Sequence, residues 1–367
     1  MRTKLTLGLL LFALLLRAAP PVAAGPGVDA QVKAEIERLQ QLLKEKPVSD
    51  PNYAPISSAA GQSLKDAAEA LDSGRLYLSL EKLLHAEDYV QASQFPVEKA
   101  EAIKSGMPAF EVEWQKVSQI VDNYNGEVRQ KDWAASPVAL RALAETGAGR
   151  SVPLLEGGRG FAVSTKPADG LLYLGQAQGE AAFARFVSAL PLSGIKAPFP
   201  LRSFLPELHK LQEKANAAFK PPRSIQLHDR FIALNSALKL ALELDAQKSY
   251  AGALYQYLEA TRHYAMLDSP PVEPAAQVNL KISVAAERKK FSSSKQDDSL
   301  ALLFLERAER LINHPDGSAP GADEWRSAQV ILDSVVPAYH AAHKSGTALV
   351  QPTGKTVDVT LVRWPYT

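Results

Sequence analysis

The chain has 367 residues, 46% of them hydrophobic, with 41 Lys+Arg against 40 Asp+Glu and no cysteine. Without cysteine there is no disulfide framework, thiolate metal site, thiol nucleophile, covalent c-type haem or lipoprotein anchor, and a net charge of +1 argues against a strongly basic nucleic-acid binder. The hydrophobic content excludes a wholly disordered chain.

Residues 1–24 read as a cleaved signal peptide. Arg2 and Lys4 form a positive start, Leu5 to Leu16 is largely apolar, and Val22, Ala23 and Ala24 supply the small residues before a cut. The apolar run is shorter than the about 20 residues of a membrane span, and no later window approaches one, so no transmembrane segment is expected after cleavage. Export of a cysteine-free chain points to a bacterial periplasm or extracellular space, where stability must come from packing.

Along residues 25–146 the periodicity predicts helices. Val32, Ile36, Leu39 and Leu43 step by three and four over 29–46, and a turn-rich stretch from Pro47 to Pro55 ends that helix. From Ser58 to Ala92 a helical hairpin is expected: Leu64, Ala67, Ala68 and Leu71 share a face, Asp72, Ser73 and Gly74 make a stop, and Leu76, Leu80, Leu83 and Leu84 begin a second face. A third helical stretch spans about 97–129, with Gly106 and Pro108 as an interruption. Six glycines and two prolines at 147–170 predict an irregular insert.

Helical hairpins are again expected over 171–344. One helix runs from Gly170 to Leu190, a short one from about Leu205 to Phe219, and a second hairpin over Gln226 to Leu267 turns at Asp245 to Ser249. Further helices are expected at 275–290, 298–312 and 322–344. In the tail, 345–367, Val357, Val359 and Leu361 alternate with Thr356, Asp358 and Thr360, and Gln351 to Gly354 has turn chemistry, which predicts a short β-hairpin.

The two hairpins are related in sequence. Laying 71–89 over 244–264 pairs Leu71 with Leu244, Asp72 with Asp245 and Tyr77 with Tyr250, and one inserted residue then pairs Leu84 with Leu258 and Ala86 with Ala260. Gly74, Tyr77 and Ala86 carry the spacing of a small residue, an aromatic three later and an alanine twelve later, and on these residues the hairpins resemble a tetratricopeptide repeat. Ala70, Ser73 and Gln247 depart from that pattern. The resemblance implies an all-α protein, an irregular α-solenoid or stack of helical hairpins, with an extended surface for a protein or peptide partner.

No catalytic constellation is visible. Ser79 to Lys82 and Ser292 to Lys295 both read S-x-x-K, but the partner motifs of penicillin-recognising enzymes are absent. Gly354, Lys355 and Thr356 imitate the end of a phosphate loop, with Leu349 where a glycine is required. His340 and His343 share a helix face without carboxylate partners, so no metal or cofactor is assigned. Tyr250, Tyr257 and Tyr264, seven apart, form a stripe with Tyr255 nearby; they are the candidate partner-binding surface, with core packing as the other reading. The expected function is an exported protein-binding scaffold or adaptor in the cell envelope. The alternative is a secreted hydrolase with paired carboxylates, and a deep cavity holding ionisable groups would favour it.

Overall fold

The computed structural model describes residues 27–191, 197–221, 223–315 and 317–345, and within them the protein is all-α. The helices are α1 (Val28–Glu45), α2 (Ala54–Asp72), α3 (Leu76–Lys99), α4 (Met107–Gln130), α5 (Val138–Ser164), α6 (Pro167–Ala189) and α7 (Leu205–Ala218), then the single turn α8 (Arg223–Gln226), α9 (His228–Ala246), α10 (Tyr250–Asp268), α11 (Pro274–Ser292), α12 (Ser299–Ile312), α13 (Ala322–Val330) and α14 (Val336–Ser345). A π-helical turn, Ile331–Val335, joins the last two. Among the described residues no strand forms; one isolated bridge pairs Ala197 with Gln296. None of these helices is long and apolar enough to cross a membrane. The expected signal peptide and the expected hairpin tail beyond Ser345 lie outside the described residues.

Helix α1 forms where the three-and-four stepping placed it, burying Val32, Ile36 and Leu39. The α2–α3 hairpin closes as the sequence suggests. Gly74 takes the left-handed conformation (φ +68°), and two reversed hydrogen bonds, Arg75 N–H to Ala70 O at 2.8 Å and Gly74 N–H to Leu71 O at 2.9 Å, satisfy the last carbonyls of α2. The α9–α10 hairpin closes identically: Ser249 N–H reaches Leu244 O and Lys248 N–H reaches Asp245 O, both at 2.9 Å. There the left-handed residue is Lys248, at φ +62°.

That geometry corrects the sequence register. Gly74 corresponds to Lys248 and not to Gln247, and no inserted residue is needed. The same step of 174 residues carries the buried Leu64, Ala67 and Ala70 onto the buried Leu238, Ala241 and Leu244. It also makes Glu81 the counterpart of Tyr255, and these two side chains are bonded to each other, so the inner helices of the two hairpins touch through equivalent positions.

The glycine-rich segment 147–170 is not an irregular insert. Helix α5 runs unbroken through Gly147, Gly149, Pro153, Gly157, Gly158 and Gly160, and α6 begins at Pro167. Several of these glycines are places where helices meet backbone to backbone. A Cβ on Gly170 would lie 2.5 Å from the carbonyl oxygen of Gly158, and on the next turns of α6 a Cβ on Gly175 or Gly179 would lie 2.4 Å from Gln91 O or 2.7 Å from Glu87 O of α3. Glycine's helix penalty of about 1 kcal/mol is offset by the burial this close approach allows. Gly106 does break the chain, at φ +86°, between the end of the α3 segment and α4.

The apolar side chains form a main core shared by both hairpins, α5 and the C-terminal helices, and a smaller one of Phe95, Phe110, Val117, Leu155, Leu174 and neighbours where α4 covers α5 and α6. The long central pair α5–α6 is thus flanked by both hairpins, with α6 against α3 and α5 against α10. Between them lies the site.

Candidate functional site

Helices α3, α10 and α12 each place a charged or polar side chain on a face that is otherwise apolar. Glu81 follows Leu80 on α3, Tyr255 and Glu259 lie among Leu254, Leu258 and Ala260 on α10, and Arg307 follows Leu305 and Glu306 on α12. Glu81, Tyr255 and Glu259 are all buried. Helix packing brings the four together although Glu81 and Arg307 are 226 residues apart in sequence.

Arg307 is the hub. Its Nη2 and Nε donate to Glu81, Nε to Oε2 at 3.2 Å, and its Nη1 pairs with Glu259 Oε1 at 2.5 Å. The Tyr255 hydroxyl donates to Glu81 Oε1 at 2.5 Å, and Arg262 Nε donates to Glu259 Oε2 at 3.0 Å. The Phe304 ring lies 5.0 Å from the Arg307 guanidinium carbon and covers the group. Burial opposes ionisation of both carboxyls but is outweighed by Arg307: Glu81 is held below its ordinary value, and Glu259, helped by Arg262, is held at about 2. The two carboxylates reciprocally hold Arg307 far above the ordinary guanidinium value against its own burial.

This cluster forms one wall of a cavity of about 520 Å³ lined also by α5 and α9. Its charged lining is four cations, Lys82, Arg150, Arg262 and Arg307, against two carboxylates, Glu81 and Glu259. Two histidines face it as well. Burial pushes His85 down to about 4, and burial with the Arg262 charge does the same to His263. Arg262 Nη2 meets His263 Nε2 at 3.0 Å, a contact that requires an unprotonated nitrogen there. Both rings are therefore neutral at pH 7.

Arg150 reaches from this lining into the α3–α5–α6 contact. Its Nη1 lies 2.9 Å from Glu180 Oε1 and its Nη2 3.9 Å from Asp88 Oδ2. Burial there pushes Glu180 up to about 8 and Asp88 up to about 6, against the pull of Arg150. A wider cleft of about 790 Å³ lies by α6 and the α1–α2 loop, with Phe161, Tyr173 and Asp169 in its wall; no buried charge cluster lines it.

The sequence-singled residues fall elsewhere. Tyr250, Tyr257 and Tyr264 are half-buried against the main core and none of them lines the cavity; Tyr257 faces Glu207 and Arg202 of the α7 region. The site uses Tyr255, two residues off that stripe. Ser79 is buried with its hydroxyl bonded to Ala67 O at 2.8 Å, and the Ser292 hydroxyl bonds to Arg288 O at 2.8 Å. His340 stacks on Phe291 at 5.1 Å and His343 meets the Phe199 edge at 5.3 Å. Among the described residues no group of three or more His, Asp and Glu could hold a metal. Gly354, Lys355 and Thr356 lie outside the described residues.

Sequence reasoning missed Glu81, Glu259 and Arg307. The signal available was a charged residue on the apolar side of a helix, as in Leu80-Glu81 or Leu305-Glu306-Arg307, because an unpaired charge there would be expensive. Compared with known proteins, the chain matches no family model, no curated protein and no solved structure. What fold and site define together is an all-α protein in which two equivalent hairpins, bolted through a buried arginine, wall a polar cavity.

Proposed function

We propose that the chain is an exported binding protein of the cell envelope, a stack of tetratricopeptide-like hairpins working as a protein-binding scaffold or adaptor, with this cavity as a ligand pocket between its hairpins. The hairpins' common turn geometry and constant 174-residue step support the repeat reading. A cavity with buried carboxylates is what the hydrolase alternative needs, so the chemistry of those carboxylates decides between the two.

One observation carries the choice. The Arg307 guanidinium occupies the space between Glu81 and Glu259 and holds both ionised. A carboxylate hydrolase needs one carboxyl with a raised value to act as acid, and room between the pair for substrate or water. Here both are held below the ordinary range, and the two neutral histidines at about 4 are weak bases. The arrangement is fixed, charged and suited to recognition.

The test is native mass spectrometry of the mature protein purified gently from an envelope fraction, alongside ester, peptide and glycoside reporters. The expected result is a non-covalently held species released unchanged on denaturation, with no turnover of any reporter. Turnover that disappears in Glu81→Gln or Glu259→Gln would overturn the reading.

A further inference from the structure

We propose that the cavity binds a small polar molecule carrying an oxyanion, a phosphate or carboxylate group, with Lys82 and Arg150 meeting the negative charge and Thr146 and Gln256 meeting its polar body. This deepens the binding reading and rests on it. Three observations on different elements converge.

The first is charge. Four cationic side chains line the space against two carboxylates, and both carboxylates are already taken by Arg307 and Arg262. Lys82 makes no hydrogen bond or ion pair among the described residues, and its charge instead weighs on the neighbouring Glu81 and His85. Arg150 lines the cavity while pairing behind it with Glu180 at 2.9 Å and, more distantly, Asp88 at 3.9 Å, which leaves Lys82 as the cation of the lining without a carboxylate of its own. An unpaired cation on the wall of a cavity is stabilised by an anion that brings its own charge beside it.

The second is an orphaned group. Thr146 projects from α5 into the cavity lining and is buried at 1% exposure, yet its hydroxyl has no hydrogen-bond partner among the described residues. A threonine in a helix ordinarily satisfies its hydroxyl on a carbonyl one turn back, as Thr261 does on Tyr257 O at 2.9 Å. A buried hydroxyl left unpaired is costly, so Thr146, one turn from Arg150 on the cavity wall, offers a donor and an acceptor to whatever occupies the space.

The third is size and lining. A space of about 520 Å³ falls within the range of small-molecule pockets and is far too small for a folded partner. Its lining adds the Gln256 amide and the neutral rings of His85 and His263, groups that recognise hydroxyls on the same ligand.

The experiment is calorimetric titration of the mature protein at pH 7 with inorganic phosphate, glucose 6-phosphate, gluconate and glucose. Each is measured on the wild type, Lys82→Met, Thr146→Val and Tyr257→Phe, with circular dichroism to verify folding. Saturable binding of glucose 6-phosphate or gluconate is expected, and which of the two binds separates a phosphate from a carboxylate ligand. Glucose should not bind, Lys82→Met and Thr146→Val should each weaken affinity at least about tenfold, the scale of one lost polar contact to a charged group, and Tyr257→Phe should change nothing. Three results would overturn the inference: no saturable binding of any anion at millimolar concentration, glucose binding as tightly as its phosphate, or anion binding equal in the wild type, Lys82→Met and Thr146→Val. None of these needs turnover, the result that would sink the binding reading itself.

Discussion

Replacing Arg307 by Met probes the cluster directly. The substitution keeps an apolar side chain of similar reach and removes the guanidinium that lies over Phe304 and touches Glu81 and Glu259. Arg262 remains on Glu259, so Glu81, buried to 2% exposure, is left with only the Tyr255 hydroxyl as a direct partner. Stranding one buried carboxylate in this way costs about 3–5 kcal/mol. In a chain of this size each kcal/mol moves the melting temperature by about 2 °C, so a fall of about 6–10 °C is expected in differential scanning fluorimetry at pH 7. The sign of the pH dependence makes the assay specific. In the wild type both carboxyls sit below their ordinary values, so their stabilisation is present above about pH 4.5 and is lost as pH falls further. In Arg307→Met burial is no longer outweighed at Glu81, its carboxyl moves up, and the penalty shrinks as acid protonates it; the gap between variant and wild type must narrow below pH 6. Adding Glu81→Gln and Glu259→Gln to Arg307→Met should restore at least half of the lost stability, because no buried charge is then left unpaired. A fall of less than about 2 °C at pH 7, about 1 kcal/mol, or a gap that stays constant with pH, would refute the reasoning.

Three further outcomes are expected. Gly179→Ala must push α6 away from Glu87 O and lower stability in urea by about 1–3 kcal/mol, whereas Gly160→Ala, in the same glycine-rich region with nothing within 4 Å, should raise it by about 0.5–1 kcal/mol; equal responses would contradict the close-packing account. Lys248→Gly should relieve the left-handed backbone and stabilise by about 1 kcal/mol, and Gly74→Ala should destabilise by a similar amount, both read as melting temperatures. His85 and His263 have folded values of about 4, below the ordinary 6.5, so their contribution is present above pH 6.5 and lost as pH falls toward 4; each is worth up to about 3 kcal/mol, and His85→Gln with His263→Gln should flatten the wild-type decline over that window. An unchanged slope would show that neither histidine is buried in its neutral form.

Helices whose pattern is local were legible from sequence. Helix α1 carries Val32, Ile36 and Leu39 at helical spacing, and Asp72-Ser73-Gly74 announces the α2–α3 turn through the residue best suited to a positive φ. The second hairpin's turn carries the same geometry on Lys248, which has no such preference, so pattern matching slid by one residue. The glycines of α5 and α6 misled for a related reason. Judged locally they break helices; judged by what lies across from them, such as Gly170 facing Gly158 O, they are contact points, and that information is tertiary. The cluster was hidden by separation, since Glu81 and Arg307 meet only after α3, α10 and α12 have packed. The seven-residue period of Tyr250, Tyr257 and Tyr264 marks one helix face, and that face is half-buried against the main core.

The central claim, that the two buried carboxylates are permanently ionised parts of a recognition site and not members of an acid–base pair, is tested most directly by following their side-chain carbon resonances in carboxyl-labelled protein from pH 8 downward, with Glu81→Gln and Glu259→Gln supplying the assignments. Neither resonance should move above pH 4.5. A midpoint for either carboxyl between pH 5.5 and 7.5 would give the cavity a working general acid and contradict the account.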